Sequence, residues 1–347
     1  MAQAETHSRF LALDGLRGVA AIVVVIHHVY WTMRGDPMFV FGPLAVDFFF
    51  ILSGFVISFA YEQRLRDGRI PFAGYARRRI VRLYPLIVLG ALLGLSFHLW
   101  SGGKDALDDP FDYLAASLLC LPFGFAQNGA YDFLNPPAWS LFFEIFVSLA
   151  YGALATRLST VRLLVLVVIA GAALAWGGLH FHTNQLGIAG ENFVFGFARV
   201  IFSFGTGVLL QRLHRRRPLP IAVPALVPAA VIVGIMGMPY LARGEMPLNL
   251  TAVLAVFPAM IFIGASSPEG GRASRWLLGK LGDISYPLYI IHWPLFWWIN
   301  AQVIPRLPPA DVRIYGLIAT ALAIILSYAV LKLYDEPVRA WLTRRMG

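Results

Sequence analysis

The stretch Leu16–Met33 reads LRGVAAIVVVIHHVYWTM. At its centre Val19–Ile26 is an unbroken apolar run, entered past Arg17 and left through His27, His28 and Trp31. A helix needs about 20 mostly apolar residues to cross a bilayer, and this segment approaches that length. Similar segments recur at Phe41–Ala60, Ile80–Trp100, Trp139–Thr156, Val161–His180, Phe193–Leu213, Ile221–Met238, Leu248–Ala265, Ile284–Gln302 and Ile314–Tyr334. Composition agrees: the chain is 58% hydrophobic and 14% charged over 347 residues, with mean hydropathy +0.68. Soluble chains carry about 25% charged residues. The pattern predicts an all-α fold, a polytopic membrane helix bundle of about ten transmembrane helices. It is read as one domain over residues 1–347, with its core near 10–338.

A shorter apolar run, Tyr113–Phe125, decides the parity of the crossings. The Lys/Arg-rich segments are Arg64–Arg82, Arg157–Arg162, Arg212–Arg217, Arg272–Lys280 and Arg339–Arg345. The segments around Asp36, Asp105–Asp109, Asn184–Glu191 and Gly244–Pro247 are poor in net positive charge, and Ile304–Arg313 is a mild exception. Basic loops stay cytoplasmic. All five basic segments fall inside if the N-terminus is inside and Tyr113–Phe125 does not cross. That run is therefore expected to be re-entrant or partly buried, with both termini cytoplasmic. A secretory signal peptide is disfavoured for the first run, which lacks a small-residue cleavage site. The net charge of +9 follows largely from this orientation. It suits anionic lipid or a polyanionic substrate at that face, and its dispersal at membrane ends argues against nucleic acid. The single cysteine, Cys120, excludes an intramolecular disulfide framework.

Ionisable residues at membrane depth are costly and mark function by default. Six stand out: Arg17, His28, Asp47, Arg82, Glu144 and Arg199. Arg17 and His28 are eleven residues apart, which is three helical turns plus ~20° and an axial rise of ~16.5 Å. They therefore share a face, with Arg17 at the cytoplasmic rim and His28 near the bilayer middle. His27 points ~100° away and is the weaker candidate. A rim arginine can hold phosphate through charge-assisted hydrogen bonds. A deep histidine, stripped of hydration, favours its neutral form and can take a proton from a hydroxyl. A plainer reading stands beside this one: His28 as a buried hydrogen-bonding residue and Arg17 as an orientation charge.

Arg77, Arg78, Arg79 and Arg82 open the third span. Arg78 and Arg82 share a helix face. Orientation accounts for Arg77–Arg79 better than for Arg82, which is followed by Leu83, Tyr84 and Pro85 and is expected to face a polar cavity. Pro85 is placed in the first turn, where it needs no internal hydrogen-bond partner. Glu144, within Trp139-Ser140-Leu141-Phe142-Phe143-Glu144, needs an arginine, a histidine or a proton. Asp47 poses the same problem, and for both carboxylates a structural ion pair stands as the alternative to a catalytic role. His292, beside Trp293 and Pro294, is read as packing or interface. There is no paired Cys/His metal set, phosphate-loop glycine pattern or Asp-x-Asp.

These residues resemble the acyltransferase-3 family of membrane O-acyltransferases. Leu13-Asp14-Gly15-Leu16-Arg17-Gly18-Val19-Ala20-Ala21, followed by His28, is similar to its opening arginine, ten residues and histidine. Gly42–Phe55, Arg78-Arg79-x-x-Arg82-Leu-Tyr-Pro85, Trp139–Glu144, Leu281–Pro294 and Glu336-Pro337 resemble further motifs in family order. Ala45 stands where the family often has glycine. Some members add an esterase-like domain after the membrane part; this chain, ending at Gly347, is expected to be a stand-alone membrane domain. It implies transfer of a short acyl group, often acetyl, from acyl-coenzyme A to a hydroxyl of a surface carbohydrate or similar acceptor, in the inner membrane. No cofactor is expected to be bound permanently; acyl-coenzyme A is a co-substrate. Arg17, Arg78, Arg79 and Arg82 are then expected to bind the coenzyme. His28 is expected to be the general base, or a nucleophile that carries the acyl group, with Glu144, Asp47 or Asp14 orienting it. A transporter or flippase would also bury charges among helices, though such folds often show internal repeats, and none is found here. A non-catalytic scaffold gives no reason for Arg17 and His28 to align.

Overall fold

A computed structural model describes residues 10–33, 39–101, 109–125, 131–220, 222–238, 245–306 and 312–346. Of the expected loops, the segment around Asp36, residues 105–108 and Gly244 lie outside the described residues, as does 307–311 within Ile304–Arg313. The helices are α1 (Leu11–Thr32), α2 (Ala45–Arg66), α3 (Phe72–Ser101), α4 (Pro110–Leu118), α5 (Trp139–Leu154), α6 (Thr160–Phe181) and α7 (Phe193–Arg216). They continue as α8 (Leu226–Met236), α9 (Glu245–Thr251), α10 (Phe257–Ala265), α11 (Arg272–Trp298), α12 (Val312–Val330) and α13 (Glu336–Met346). A π-helical turn joins α9 to α10, and another joins α12 to α13. Each pair thus forms one continuous rod.

Among the described residues, eight helical segments are long and apolar enough to cross a membrane. The other two expected spans deviate for separate reasons. α8 is helical for only 11 residues, because Pro218, Pro220 and Pro224 precede it and proline cannot donate to a helix ladder. α11 is 27 residues long, but its Tyr, Trp, His and Pro residues dilute its hydropathy. One expectation is corrected. α3 begins at Phe72, so Pro85 sits inside the helix rather than in its first turn. The tyrosines of two neighbours tie down the carbonyls near it: Tyr286 donates to the Leu83 carbonyl at 2.8 Å and Tyr334 to the Pro85 carbonyl at 3.0 Å.

Two parallel helix pairs fix the direction of the chain. In the first, α2 lies along α7, with Asp47 against Arg199, Ser58 against Gln211 and Gln63 against Arg215. Both members advance together. The chain has therefore reversed direction an even number of times between them, which α3, α5 and α6 accomplish only if the Tyr113–Phe125 run does not cross. It does not: α4 has 9 residues, ~13.5 Å of helix, and is followed by a short hairpin of β1 (Phe123–Phe125) and β2 (Tyr131–Asp132). In the second pair, α1 lies along α11, with Gly18 against Leu281 and His28 against His292.

Both pairs are close because glycine removes the side chain where backbones meet. A Cβ on Gly18 would lie 2.4 Å from the Leu281 carbonyl oxygen, and one on Gly207 would lie 1.9 Å from that of Ile51. Small residues at such contacts let helices in lipid pack through van der Waals contact, where the bilayer supplies no hydrophobic drive. The basic segments meet at one end of the bundle. There Glu62 is held by Arg66 and Arg212, each at 3.0 Å, and both arginines donate to the Leu158 carbonyl in the turn between α5 and α6.

Candidate active site

Arg17 projects from α1 onto α11. Its Nε donates to Ser285 Oγ at 2.8 Å, and its Nη2 donates to the Gly282 carbonyl at 3.0 Å and meets Asp14 Oδ1 at 3.0 Å. Its side chain is still 26% exposed, so the guanidinium keeps room for a ligand. Asp14 is the partner of Arg17, and it stands fourteen residues from His28 on the same helix, a rise of ~21 Å. It cannot orient that histidine.

Arg17 lines a cavity of about 190 Å³ together with Arg79 and Arg82 of α3, Glu144 of α5, Ser53 of α2, and Tyr286 and Tyr289 of α11. Glu144 Oε1 accepts from Ser53 Oγ at 2.9 Å and from Arg79 Nη2 at 3.3 Å. Arg79 also donates to Ser148 Oγ at 3.2 Å. Arg82 differs from its neighbours. Its guanidinium lies 5.8 Å from the Tyr286 ring centre, and among the described residues no carboxylate comes within ion-pair distance of it. A cation at membrane depth without an anion is costly, so the site is electrostatically suited to an anionic guest.

A second cavity of about 300 Å³ opens beside the first, and Arg82 lines both. Among the described residues, its walls carry Arg77, Arg78, Arg82 and Arg339 and no carboxylate. Arg78 and Arg79, ~100° apart around the helix, thus serve different cavities. Arg339 comes from α13 and is braced by Asp335 at 2.8 Å. Sequence reasoning read Arg339 only as an orientation charge. The i, i+4 spacing from Asp335 was the available sign that it is positioned.

His28 does not line either cavity. It lies farther along α1, where its Nδ1 is 2.9 Å from His292 Nε2. His292 Nδ1 is in turn 2.9 Å from the Leu288 carbonyl. His292 is fully buried, so the residue read as packing is the hydrogen-bond partner of His28. His27 turns to the Phe39 carbonyl at 3.0 Å. Tyr289 spans the gap between the sites: it lines the first cavity, and its ring centre is 6.1 Å from that of His292.

The carboxylates proposed to orient His28 are engaged elsewhere. Glu144 faces Arg79. Asp47 forms a two-pronged pair with Arg199, Oδ1 to Nε at 2.9 Å and Oδ2 to Nη2 at 2.7 Å, with both side chains buried. This is the structural ion pair that was the alternative reading of Asp47. Arg199 lies over the Trp139 ring at 5.4 Å, tying α5 to the same node. Arg17, Arg79, Arg82 and Glu144 are brought together; Arg78 is one cavity away; His28 and Asp47 are separate.

The pattern of the family described as Acyltransferase domain matches residues 10–332. The chain belongs to this acyltransferase family and is a multi-pass membrane enzyme of acyl transfer. Among its relatives, Protein 2 in picA locus of Rhizobium radiobacter is 40% identical over 173 residues, 45% of this chain and 89% of the relative. The O-acetyltransferase OatA of Staphylococcus aureus (strain NCTC 8325 / PS 47) is 25% identical over 366 aligned positions, covering 94% of this chain but 57% of the relative. No solved structure matches.

Proposed function

We propose that this enzyme is an inner-membrane O-acyltransferase. It moves a short acyl group, acetyl in the simplest case, from acyl-coenzyme A to a hydroxyl of a carbohydrate or similar acceptor. The basic end of the bundle faces the cytoplasm with both termini, as the positive-inside rule requires. The coenzyme phosphates lie across Arg77, Arg78, Arg82 and Arg339, and the pantetheine arm enters the inner cavity past Arg17 and Arg79. Arg17 and His28 are ~16.5 Å apart along α1, the length scale of an extended pantetheine arm. The thioester would thus be delivered toward the histidine.

His28 then removes the proton of the acceptor hydroxyl as its oxygen attacks the thioester carbonyl. The tetrahedral intermediate collapses with cleavage of the carbon–sulfur bond. The imidazolium returns its proton to the departing thiolate, giving the ester and free coenzyme A. The observation that carries this reading is the unneutralised Arg82 shared by two arginine-lined cavities, on a bundle whose first helix leads from them to His28. Purified protein incubated with acetyl-coenzyme A and candidate sugar acceptors is expected to release free thiol in an acceptor-dependent way. Substrate flux across vesicles without any coenzyme A release would instead favour a transporter.

A further inference from the structure

The two imidazoles of His28 and His292 share one plane. Their rings are inclined by 2°, their centres are 5.1 Å apart, and the nitrogens between them are 2.9 Å apart. The centre separation is just that contact plus the two ring radii, so the rings lie edge to edge rather than face to face. This geometry points an N–H along the ring plane at a lone pair.

The protons on this chain can be assigned from its end. The Leu288 carbonyl only accepts, so His292 Nδ1 carries a proton. A second proton on His292 Nε2 would make a fully buried imidazolium, and no carboxylate contacts either ring among the described residues. Such an unpaired charge is strongly disfavoured. His292 Nε2 is therefore the acceptor and His28 Nδ1 the donor. The lone pair of His28 is left on Nε2, which bonds no other described residue. Resting on the transferase reading, we infer that His292 is a positioning residue. It holds His28 in the tautomer whose Nε2 is the base, the role that a carboxylate fills in other histidine-based sites. When Nε2 gains a proton, the Nδ1–H bond to His292 remains in place and keeps the ring oriented.

Two substitutions separate this role from simple packing. In His292→Gln the side-chain amide reaches the place of Nε2 and can accept from His28, while the bond to Leu288 is lost. In His292→Asn the amide reaches only the place of Nδ1, keeping the Leu288 bond and losing His28. Acetyl-coenzyme A-dependent thiol release is measured for both, with the KM for the donor and thermal unfolding as controls. The expected result is kcat within about tenfold of wild type for Gln and lower by ~10²–10³ for Asn, at unchanged donor KM. The reverse order, or equal loss in two folded variants, overturns the assignment. Wild-type protein that releases no thiol with any acceptor overturns the transferase reading, and the assignment with it.

Discussion

Arg17 and His28 stand on one face of α1, and both are held by α11: Arg17 by Ser285 at 2.8 Å and His28 by His292 at 2.9 Å. The two helices run parallel, so any change in their spacing disturbs both residues together. Gly18 sets that spacing. A valine there would drive its Cβ into the Leu281 carbonyl, a backbone atom that cannot step aside. Overpacking of this kind costs ~1–3 kcal/mol. Gly18→Val is expected to lower the unfolding temperature in detergent and to abolish thiol release. Gly234→Ala, where a Cβ meets nothing within 4 Å, is the matched control and is expected to keep both.

Asp47 is expected to report on stability rather than chemistry. Removing one partner of a buried ion pair costs ~3–5 kcal/mol, because the other charge is stranded. Asp47→Ala should therefore give little folded protein. Pairing it with Arg199→Leu removes the stranded charge and is expected to recover part of the loss. Thermal unfolding of the single and double variants checks this. A fully stable Asp47→Ala protein that is inactive would instead give Asp47 a catalytic role.

Arg339 is expected to act on donor affinity alone. In the proposed binding mode it meets a coenzyme phosphate at the solvent-facing cavity, far from the bond that changes. Arg339→Ala should raise the donor KM about tenfold, equivalent to ~1.4 kcal/mol, with kcat unchanged. The wild-type KM should also rise with added salt, since exposed charges are screened. Steady-state kinetics against acetyl-coenzyme A at two ionic strengths tests both points.

Much of this architecture is readable in the sequence because lipid imposes a strong signal. The apolar runs, the basic segments and the parity of Tyr113–Phe125 each follow from one-dimensional patterns. Arg17, Arg82 and Glu144 stand out because each interrupts an apolar run. The pairings were not readable. His28 meets His292 across 264 residues, and Asp47 meets Arg199 across 152. Such contacts depend on which helices are neighbours, and helix periodicity does not specify that. Pro85 lies deeper in α3 than the apolar run alone indicates, for a related reason. Phe72–Arg79 is too polar to read as membrane-spanning, yet it extends α3 by two turns at its basic end.

The most direct test of the central claim is acyl transfer by His28→Ala. Purified wild-type and variant proteins are given labelled acetyl-coenzyme A and an accepting sugar, and labelled ester and free coenzyme A are counted. Donor binding is measured in parallel. The expected result is donor binding within a few-fold of wild type and transfer lower by ~10²–10⁴, the contribution of a general base. Undiminished transfer by a correctly inserted His28→Ala protein would contradict it.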